Sequence, residues 1–295
     1  MQATVVLNLH SSKTRHYVEE IPRMLAERGI ETVAMHLLEG NEEVTKTLKR
    51  AIKGGATHVI VGGGDGTMAQ AVNALAHKET ILGVVPLGTG NSFALTLGIG
   101  ENIEAALDII AAGRIVNVDL GVVNKHYFAN FATIGLPAEI AASTDRTLKT
   151  IVGPLAYALG GIKPFLQHRA FRAKIKADDN DLKLTTQQMV IASGRFFGKQ
   201  PLTPDATITD GRLAFFTTSG VSHLEIARTY VAMGMGLSGL LPDAHRFSAE
   251  KITIKTKPKQ PLSIDGNALG TTPARFSVAP RALCVIVAPS FHDEG

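Results

Sequence analysis

Two glycine-rich segments carry polar side chains whose types and spacing could handle a phosphate group. Residues 62–67 read Gly-Gly-Gly-Asp-Gly-Thr, and residues 86–91 read Pro-Leu-Gly-Thr-Gly-Asn. Glycine lets backbone N–H groups approach an anion closely, and it takes the positive φ that several of these positions are expected to need. A helix that begins after such a loop adds its positive end. The segments therefore predict a phosphate-binding edge.

Asp65 is the distinctive side chain of the first segment. A carboxylate inside a phosphate cradle repels its ligand unless a divalent cation neutralises it or it accepts a proton from an attacking hydroxyl. Asp65 is thus a candidate metal ligand or base. The alternative is a tight turn in which Asp65 caps the helix that follows. The second segment favours phosphate binding, because Thr89 and Asn91 add hydrogen-bonding groups.

The apolar periodicity up to about residue 114 alternates between strand and helix. Strands are predicted near residues 4–9, 30–37, 57–61 and 81–85, with amphipathic helices near residues 17–28, 42–53 and 68–75. Continuous apolar strands that alternate with helices predict a doubly wound parallel sheet that is covered on both faces. Ligands of such sheets bind at the carboxyl ends of the strands, where both glycine segments fall.

Beyond residue 117 the pattern changes to short β segments separated by turns. These segments are residues 116–123, 127–134, 170–176, 183–192, 212–218, 251–257 and 274–278, with helical stretches near 148–167 and 222–235. The fold class is therefore α/β. We predict an N-terminal nucleotide-binding α/β domain over residues 1–117 and a C-terminal antiparallel β-sandwich domain over residues 118–281. A last strand, residues 282–288, could return to the first sheet.

Composition narrows the class of protein. The 295 residues are 45% hydrophobic and 19% charged, and the only cysteine, Cys284, lies in an apolar run, which fits a reducing cytoplasm. The uncharged stretch of residues 229–242 is shorter than the roughly 18 to 20 apolar residues that cross a bilayer. A net charge of +4 favours an anionic partner, and no platform of interleaved aromatic and basic residues indicates nucleic acid.

The two glycine segments, in this order, resemble the diacylglycerol kinase catalytic family, which includes bacterial lipid kinases and the sphingosine and ceramide kinases. The resemblance continues over essentially the whole chain, through residues 118–121, 128–131, 204–206, 210–211 and 264–266. It implies a two-domain enzyme that binds ATP at the first segment. It also implies transfer of the γ-phosphoryl group to the hydroxyl of a diacylglycerol-like or related lipid, with Mg²⁺.

The resemblance assigns roles to individual residues. It implies nucleotide contacts at Asn8, Ser11, Gly63, Gly64, Asp65, Gly66, Thr67, Met68, Ala69, Gly88, Thr89 and Asn91. It implies catalytic positions at Asp65, Asp265 and Asn267, and a structural Mg²⁺ held by the Asp210 carboxylate with carbonyls of Thr207 and Arg212. Local composition alone predicts a type I′ hairpin turn at residues 210–211.

Of the departures from the family pattern, two bear on catalysis. The family usually has an acidic residue where this chain has Ser92, and its Asp-Gly-Glu motif reads Asp-Gly-Asn at residues 265–267. Because asparagine accepts no proton at neutral pH, proton transfer would fall to Asp65 or Asp265, or catalysis would rest on positioning and metal charge. Two alternatives stay open: a catalytically silent nucleotide- or lipid-binding protein on this scaffold, and a soluble-metabolite kinase related to NAD kinase or phosphofructokinase.

Lysines recur with a period of two along residues 251–259, which places them on one face of a predicted strand. A solvated strand face is one interpretation, and contact with anionic lipid headgroups is the other. The partners expected from the resemblance are nucleotide and lipid substrate, with transient peripheral contact at the inner face of the membrane and no nucleic acid. The sequence leaves a homodimer open.

Overall fold

The structure is a computed structural model that describes residues 1–11, 13–143, 165–178, 180–194, 196–197, 200–201, 207–219, 222–234, 241 and 244–292. Most of the predicted helical stretch 148–167, together with residues 204–206, lies outside these ranges. The chain divides into two compact units. The first contains residues 1–120, 208–210 and 279–295, and the second contains residues 121–207 and 211–278.

The first unit is built on parallel strands. Its elements are β1 (Gln2–Asn8), α1 (Thr14–Tyr17), α2 (Glu20–Glu27), β2 (Glu31–Leu38), α3 (Asn41–Lys53), β3 (His58–Gly63), α4 (Asp65–Leu75), β4 (Ile81–Pro86), α5 (Ser92–Thr96), α6 (Ile103–Ala112) and most of β5 (Ile115–Val123). The order is β2-β1-β3-β4, with every neighbouring pair parallel. Val285, near the carboxyl terminus, pairs with Leu82 of β4, also in parallel.

Helices cover the sheet of the first unit because the strands β1, β3 and β4 are apolar and buried almost continuously, on both faces. Helices α2 and α6 pack in one cluster with the buried side chains Val5, Leu7 and Ile60. Helices α3 and α4 pack against each other and against β1 and β3. The predicted doubly wound α/β fold is confirmed.

The second unit is a two-layer antiparallel structure. Its elements are β6 (His126–Phe128), β7 (Phe131–Gly135), α7 (Leu136–Ser143), β8 (Phe171–Ala177), β9 (Asn180–Thr186), β10 (Gln188–Ala192), β11 (Phe196–Phe197), β12 (Gln200–Pro201), β13 (Leu213–Thr218), α8 (His223–Gly234), β14 (Ala244–Ala249), β15 (Lys251–Lys257), β16 (Pro261–Ile264), β17 (Asn267–Thr271) and the first part of β18 (Ala274–Ile286). One sheet has the order β18-β15-β8-β9, and the other has the order β14-β13-β10-β7-β16-β17.

The two sheets of the second unit enclose one apolar core. Phe171, Ile175 and Ile252 contribute to it from the first sheet, and Ile191 and Phe215 contribute from the second. All five side chains are essentially inaccessible to solvent. The predicted β-sandwich is therefore confirmed. No helix within the described ranges combines the length and the apolar character that crossing a bilayer requires.

The last strand differs from the prediction of two separate segments. Residues 274–286 form a single strand through Pro280. Arg281 takes a positive φ of 51°, and its backbone N–H donates to the buried Asp119 carboxylate at 2.7 Å. This hydrogen bond supplies a partner where the regular ladder is interrupted, so the strand continues instead of ending at the proline.

The type I′ turn lies at a different Asp-Gly pair from the predicted one. At residues 210–211 only Gly211 has a positive φ, whereas type I′ requires it at both central residues. Asp265 and Gly266 have φ values of 43° and 77°, and Ile264 pairs with Asn267. The prediction at residues 210–211 was wrong because the paired strands β16 and β17, not local composition, decide where the hairpin turns.

Candidate functional site

Hydrogen bonds join the loops that follow β1, β3 and β4. The Asn8 Nδ2 donates to Thr67 Oγ1 at 2.8 Å, and the Gly64 N–H donates to Ser11 Oγ at 3.2 Å. The Leu87 N–H donates to the Gly63 carbonyl at 3.0 Å. Residues 8–11, 62–67 and 86–92, which we call the loop cluster, therefore hold one another in place at the carboxyl edge of the sheet.

Glycine is required in the loop cluster because two backbones lie in contact. A Cβ atom on Gly88 would lie 2.4 Å from the Gly64 Cα, and one on Gly64 would lie 3.1 Å from the Gly88 Cα. A Cβ on Gly63 would lie 2.5 Å from the Thr67 side chain. No glycine of the cluster has a positive φ. The expectation of positive φ was wrong, and close approach replaces it as the reason for glycine.

Asn91 fixes the shape of the second loop. It is buried and takes the left-handed conformation, with a φ of 51°. Its Oδ1 accepts from the Gly88 N–H and its Nδ2 donates to the Gly88 carbonyl, both at 2.9 Å. These bonds occupy the polar groups of Gly88, so Asn91 and Gly88 shape the loop. The neighbouring Thr89 is exposed.

Asp65 is the first residue of α4, but its carboxylate points to the start of α5. Its Oδ1 accepts from the Phe93 N–H at 3.4 Å, and its Oδ2 lies 3.5 Å from the Ser92 Oγ, which donates to it. The residue before α4 is Gly64, and no side chain caps that helix. The alternative in which Asp65 caps α4 is therefore wrong.

Burial governs the electrostatics of Asp65. Burial raises the pKa of its carboxyl group, and hydrogen bonds from Phe93, Ser92 and Asn91 oppose that rise without cancelling it. The contacts to the Ser92 Oγ and to the Phe93 N–H are long, so the carboxylate oxygens keep capacity to accept a proton or bind a cation. Sequence reasoning missed Phe93 because it contributes through its backbone N–H, and the available signal was the helix that begins after Asn91.

The N-terminal end of α4 offers unpaired donors. The N–H groups of Asp65 and Gly66 donate no hydrogen bond within the part of the chain that the structure describes, whereas those of Thr67 and Met68 donate to the Gly64 carbonyl. Free amides and the positive helix end suit an anion. Met68 and Ala69 have buried side chains. Of the predicted nucleotide positions, these two belong to the helix core.

Asp265 lies in the second unit and holds its hairpin. Its Oδ2 accepts from the Ala129 N–H, and its Oδ1 accepts from the N–H groups of Asn130 and Phe131, all at 3.1 Å. The Asn267 Nδ2 donates to the Asp265 carbonyl at 3.3 Å. Three backbone donors give the Asp265 carboxylate a structural task. A catalytic role for Asp265 or Asn267 stays a prediction.

The residues predicted to hold a structural Mg²⁺ are divided between the two units, with Asp210 in the first and Thr207 and Arg212 in the second. The Arg212 guanidinium donates to the Ser248 carbonyl at 2.7 Å and lies 3.9 Å from the Asp178 carboxylate. Within the described residues, no three His, Cys, Asp or Glu side chains gather as a metal site. This metal set stays a prediction.

Two family models match the chain in succession. Residues 2–123 match the diacylglycerol kinase catalytic domain, and residues 130–287 match the YegS C-terminal NAD kinase beta sandwich-like domain. This chain belongs to the diacylglycerol kinase family. The family consists of lipid kinases. At the family level, this chain is therefore an enzyme that phosphorylates an alcohol group.

Relatives of this family match over most of their length. The diacylglycerol kinase of Staphylococcus epidermidis is 30% identical over 255 residues, which cover 85% of this chain and 80% of that protein. The one from Staphylococcus saprophyticus is 28% identical and covers 93% and 92%. A solved diacylglycerol kinase from Bacillus anthracis has a TM-score of 0.73 at 20% identity, covering 99% and 98% of the two chains. A second structure from that organism has a TM-score of 0.81 at 25% identity, covering 99% and 96%.

Replacing Gly88 with alanine tests the contact between the two loops. The added Cβ meets backbone, which no rotamer change relieves, so we expect Gly88→Ala to lower the free energy of unfolding by about 1–3 kcal/mol. Urea denaturation measures it. Gly54→Ala is the matched control, because its Cβ meets nothing closer than 3.4 Å, and it should change stability by less than about 1 kcal/mol. An equal change in the free energy of unfolding for the two variants would contradict a close contact between Gly88 and Gly64.

The raised pKa of Asp65 predicts how stability depends on pH. The folded protein binds this proton more tightly than the unfolded chain, so the wild-type protein loses stability as pH rises from the ordinary pKa of 3.8 through the folded value. Asp65→Asn has no charge to bury. It should therefore be more stable than wild type at pH 7, with the difference vanishing towards pH 3.8. Denaturant unfolding across this range checks it, and a variant less stable at pH 7 would show that the hydrogen bonds to the carboxylate outweigh burial.

Proposed function

We propose that this protein transfers the γ-phosphoryl group of ATP, with Mg²⁺, to the hydroxyl of a diacylglycerol-like lipid. The proposal rests on one observation. The loop cluster brings the free amides of α4, an exposed Thr89 and the Asp65 carboxylate to the carboxyl edge of a parallel sheet. Family membership supplies the lipid as substrate class.

The amides are the groups proposed to bind the nucleotide phosphates. The N–H groups of Asp65 and Gly66 supply donors, and the N-terminal end of α4 supplies positive potential. The Ser11 hydroxyl and Asn91 hold the two loops, so these donors are oriented before a ligand arrives. Because these N–H donors are already oriented, binding an anion costs them little conformational entropy.

Asp65 is the residue proposed to bind Mg²⁺. Carboxylate oxygens are ligands that Mg²⁺ prefers, and a partly buried carboxylate whose contacts to the Ser92 Oγ and the Phe93 N–H are long fits such an ion. When bound, Mg²⁺ offsets the negative charge of the phosphate oxygens. Ser92 contributes a hydroxyl donor where the family usually has a second carboxylate. Among the residues that the structure describes, no like charge acts on Asp65.

The proposed reaction is the transfer of one phosphoryl group. The lipid hydroxyl oxygen forms a bond to the γ-phosphorus while the bond from that phosphorus to the bridging oxygen breaks, and ADP leaves with the bonding electrons. The hydroxyl proton passes to Asp65 or to water. The pKa that burial raises suits this task only while no cation is bound to Asp65, because a bound Mg²⁺ would favour the ionised carboxylate and lower its pKa. The Asp265 carboxylate already accepts three backbone N–H bonds, which favours Asp65.

A lipid panel tests the proposed function. Purified protein is incubated with γ-labelled ATP and Mg²⁺ and with diacylglycerol, ceramide, sphingosine or NAD as acceptor. We expect label in diacylglycerol or a related lipid, and a loss of at least about 100-fold in kcat for Asp65→Asn. The matched control is Asp108→Asn, the same change on an exposed carboxylate of α6, which should retain activity.

Three outcomes would contradict the proposal. Labelled NAD with inert lipids would make the protein a soluble-metabolite kinase. Nucleotide binding with no transfer to any acceptor would make it a silent binding protein. Equal activity of Asp65→Asn and Asp108→Asn would remove Asp65 from the chemistry.

A further inference from the structure

On one outer sheet surface of the second unit, the charged side chains that the structure describes at the centre are all basic. The side chains of Arg172, Lys174, Lys183, Lys255 and Lys257 are all exposed there, and we call them the basic face. None of the five has an ion-pair partner within the described residues. The opposite surface of the same strands is the apolar core of the sandwich. The lysines that recur with a period of two in the sequence therefore lie on a surface that three strands form together.

Strand register places like charges directly opposite one another on this face. Lys255 of β15 pairs with Lys174 of β8, and Lys174 pairs with Lys183 of β9. Lys257 pairs with Arg172 in the next exposed row. Side chains in such cross-strand positions lie about 5 Å apart, and like charges there destabilise a sheet. An anionic partner bound at this face would offset that repulsion.

Opposite charge lies elsewhere on these strands. Asp181 forms an ion pair with Lys176, with 3.5 Å between Nζ and Oδ2. Asp178 accepts backbone N–H bonds from Glu250 and Lys251, at the turn that leads into β15. Within the described residues, neither Asp178 nor Asp181 forms an ion pair with a residue of the basic face.

The shape and chemistry of the basic face indicate the class of partner. Its five residues line a shallow depression of about 470 Å³ together with Ala173, Leu184, Thr185 and Thr256. Four of the five cations are lysines, which act as mobile point charges, whereas a site for one tightly held phosphate favours the arginine fork. Among the described residues, no aromatic side chain lines the depression to stack on a base. A second copy of the same face would repel this one.

We propose that the basic face docks the protein on a bilayer that contains anionic phospholipid. An array of lysines on one outer sheet surface can meet many headgroups at once, and each basic residue close to such a surface raises the membrane partition coefficient about fivefold. The purpose of this docking rests on the proposed lipid substrate, but binding to vesicles does not. Failure of one can therefore be distinguished from failure of the other.

The experiment is vesicle co-sedimentation with the full chain and without nucleotide. Vesicles consist of phosphatidylcholine alone or of phosphatidylcholine mixed with phosphatidylglycerol. We expect binding to the mixed vesicles only, at an ionic strength of about 0.1 M, and its loss near 1 M, where charges are screened over about 3 Å. In the triple variant Lys174→Gln, Lys183→Gln, Lys255→Gln, the partition coefficient should fall about 100-fold.

The control carries the same change in net charge. Lys46, Lys49 and Lys53 are exposed on α3 of the first unit, and replacing all three with glutamine also takes the net charge from +4 to +1. This variant should bind within about threefold of wild type, because the replaced charges lie outside the docking face. Replacing Lys174, Lys183 and Lys255 with arginine instead should preserve binding. Thermal unfolding should show that the glutamine variant of the face is at least as stable as wild type.

Several outcomes would overturn the proposal. Equal losses in the two glutamine variants would assign binding to net charge, and no loss in either would place the docking surface elsewhere. If the wild-type protein did not bind anionic vesicles, a bilayer with anionic phospholipid would not be its partner. Binding of duplex DNA that depends on the face, without vesicle binding, would make the partner nucleic acid. Vesicle binding that depends on the face in a protein without lipid kinase activity would support docking and refute the proposed function.

Discussion

The backbones at Gly64 and Gly88 approach so closely that a side chain at residue 88 would overlap residue 64. This contact joins the loops after β3 and β4, and the Asn91 side chain maintains it by bonding both polar groups of Gly88. The start of α5 consequently lies at the start of α4, where Phe93 and Ser92 contact Asp65. The candidate site depends on this one contact between residues that are distant in sequence.

Two features of the molecule oppose folding, and both are features that a ligand would compensate. Burial disfavours the charged form of Asp65, and directly opposed lysines disfavour β8, β9 and β15. A cation bound with nucleotide would offset the first, and anionic headgroups would offset the second. Local conflicts of this kind are expected at functional positions, because a sequence optimised only for stability would remove them.

The sequence allowed prediction of features that depend on local pattern. Parallel strands, the glycine loops and a lysine face along residues 251–259 all follow from periodicity and residue type. Features that depend on distant partners were not predictable. The role of glycine in the loop cluster needs the neighbouring loop, and the choice between the Asp-Gly pairs at 210 and 265 needs the pairing of β16 with β17. Predicting the basic face requires the register of three strands, which the sequence does not give.

The central claim is that the loop cluster binds phosphate and that Asp65 makes this binding depend on a cation. Thermal unfolding with a non-hydrolysable ATP analogue, in Mg²⁺ and in EDTA, tests it directly. At 100 times Kd the ligand should stabilise wild type by about 2.7 kcal/mol in Mg²⁺ and by much less in EDTA. Asp65→Asn should respond equally in both. An equal response of the wild-type protein with and without Mg²⁺, or no response at all, would contradict the account.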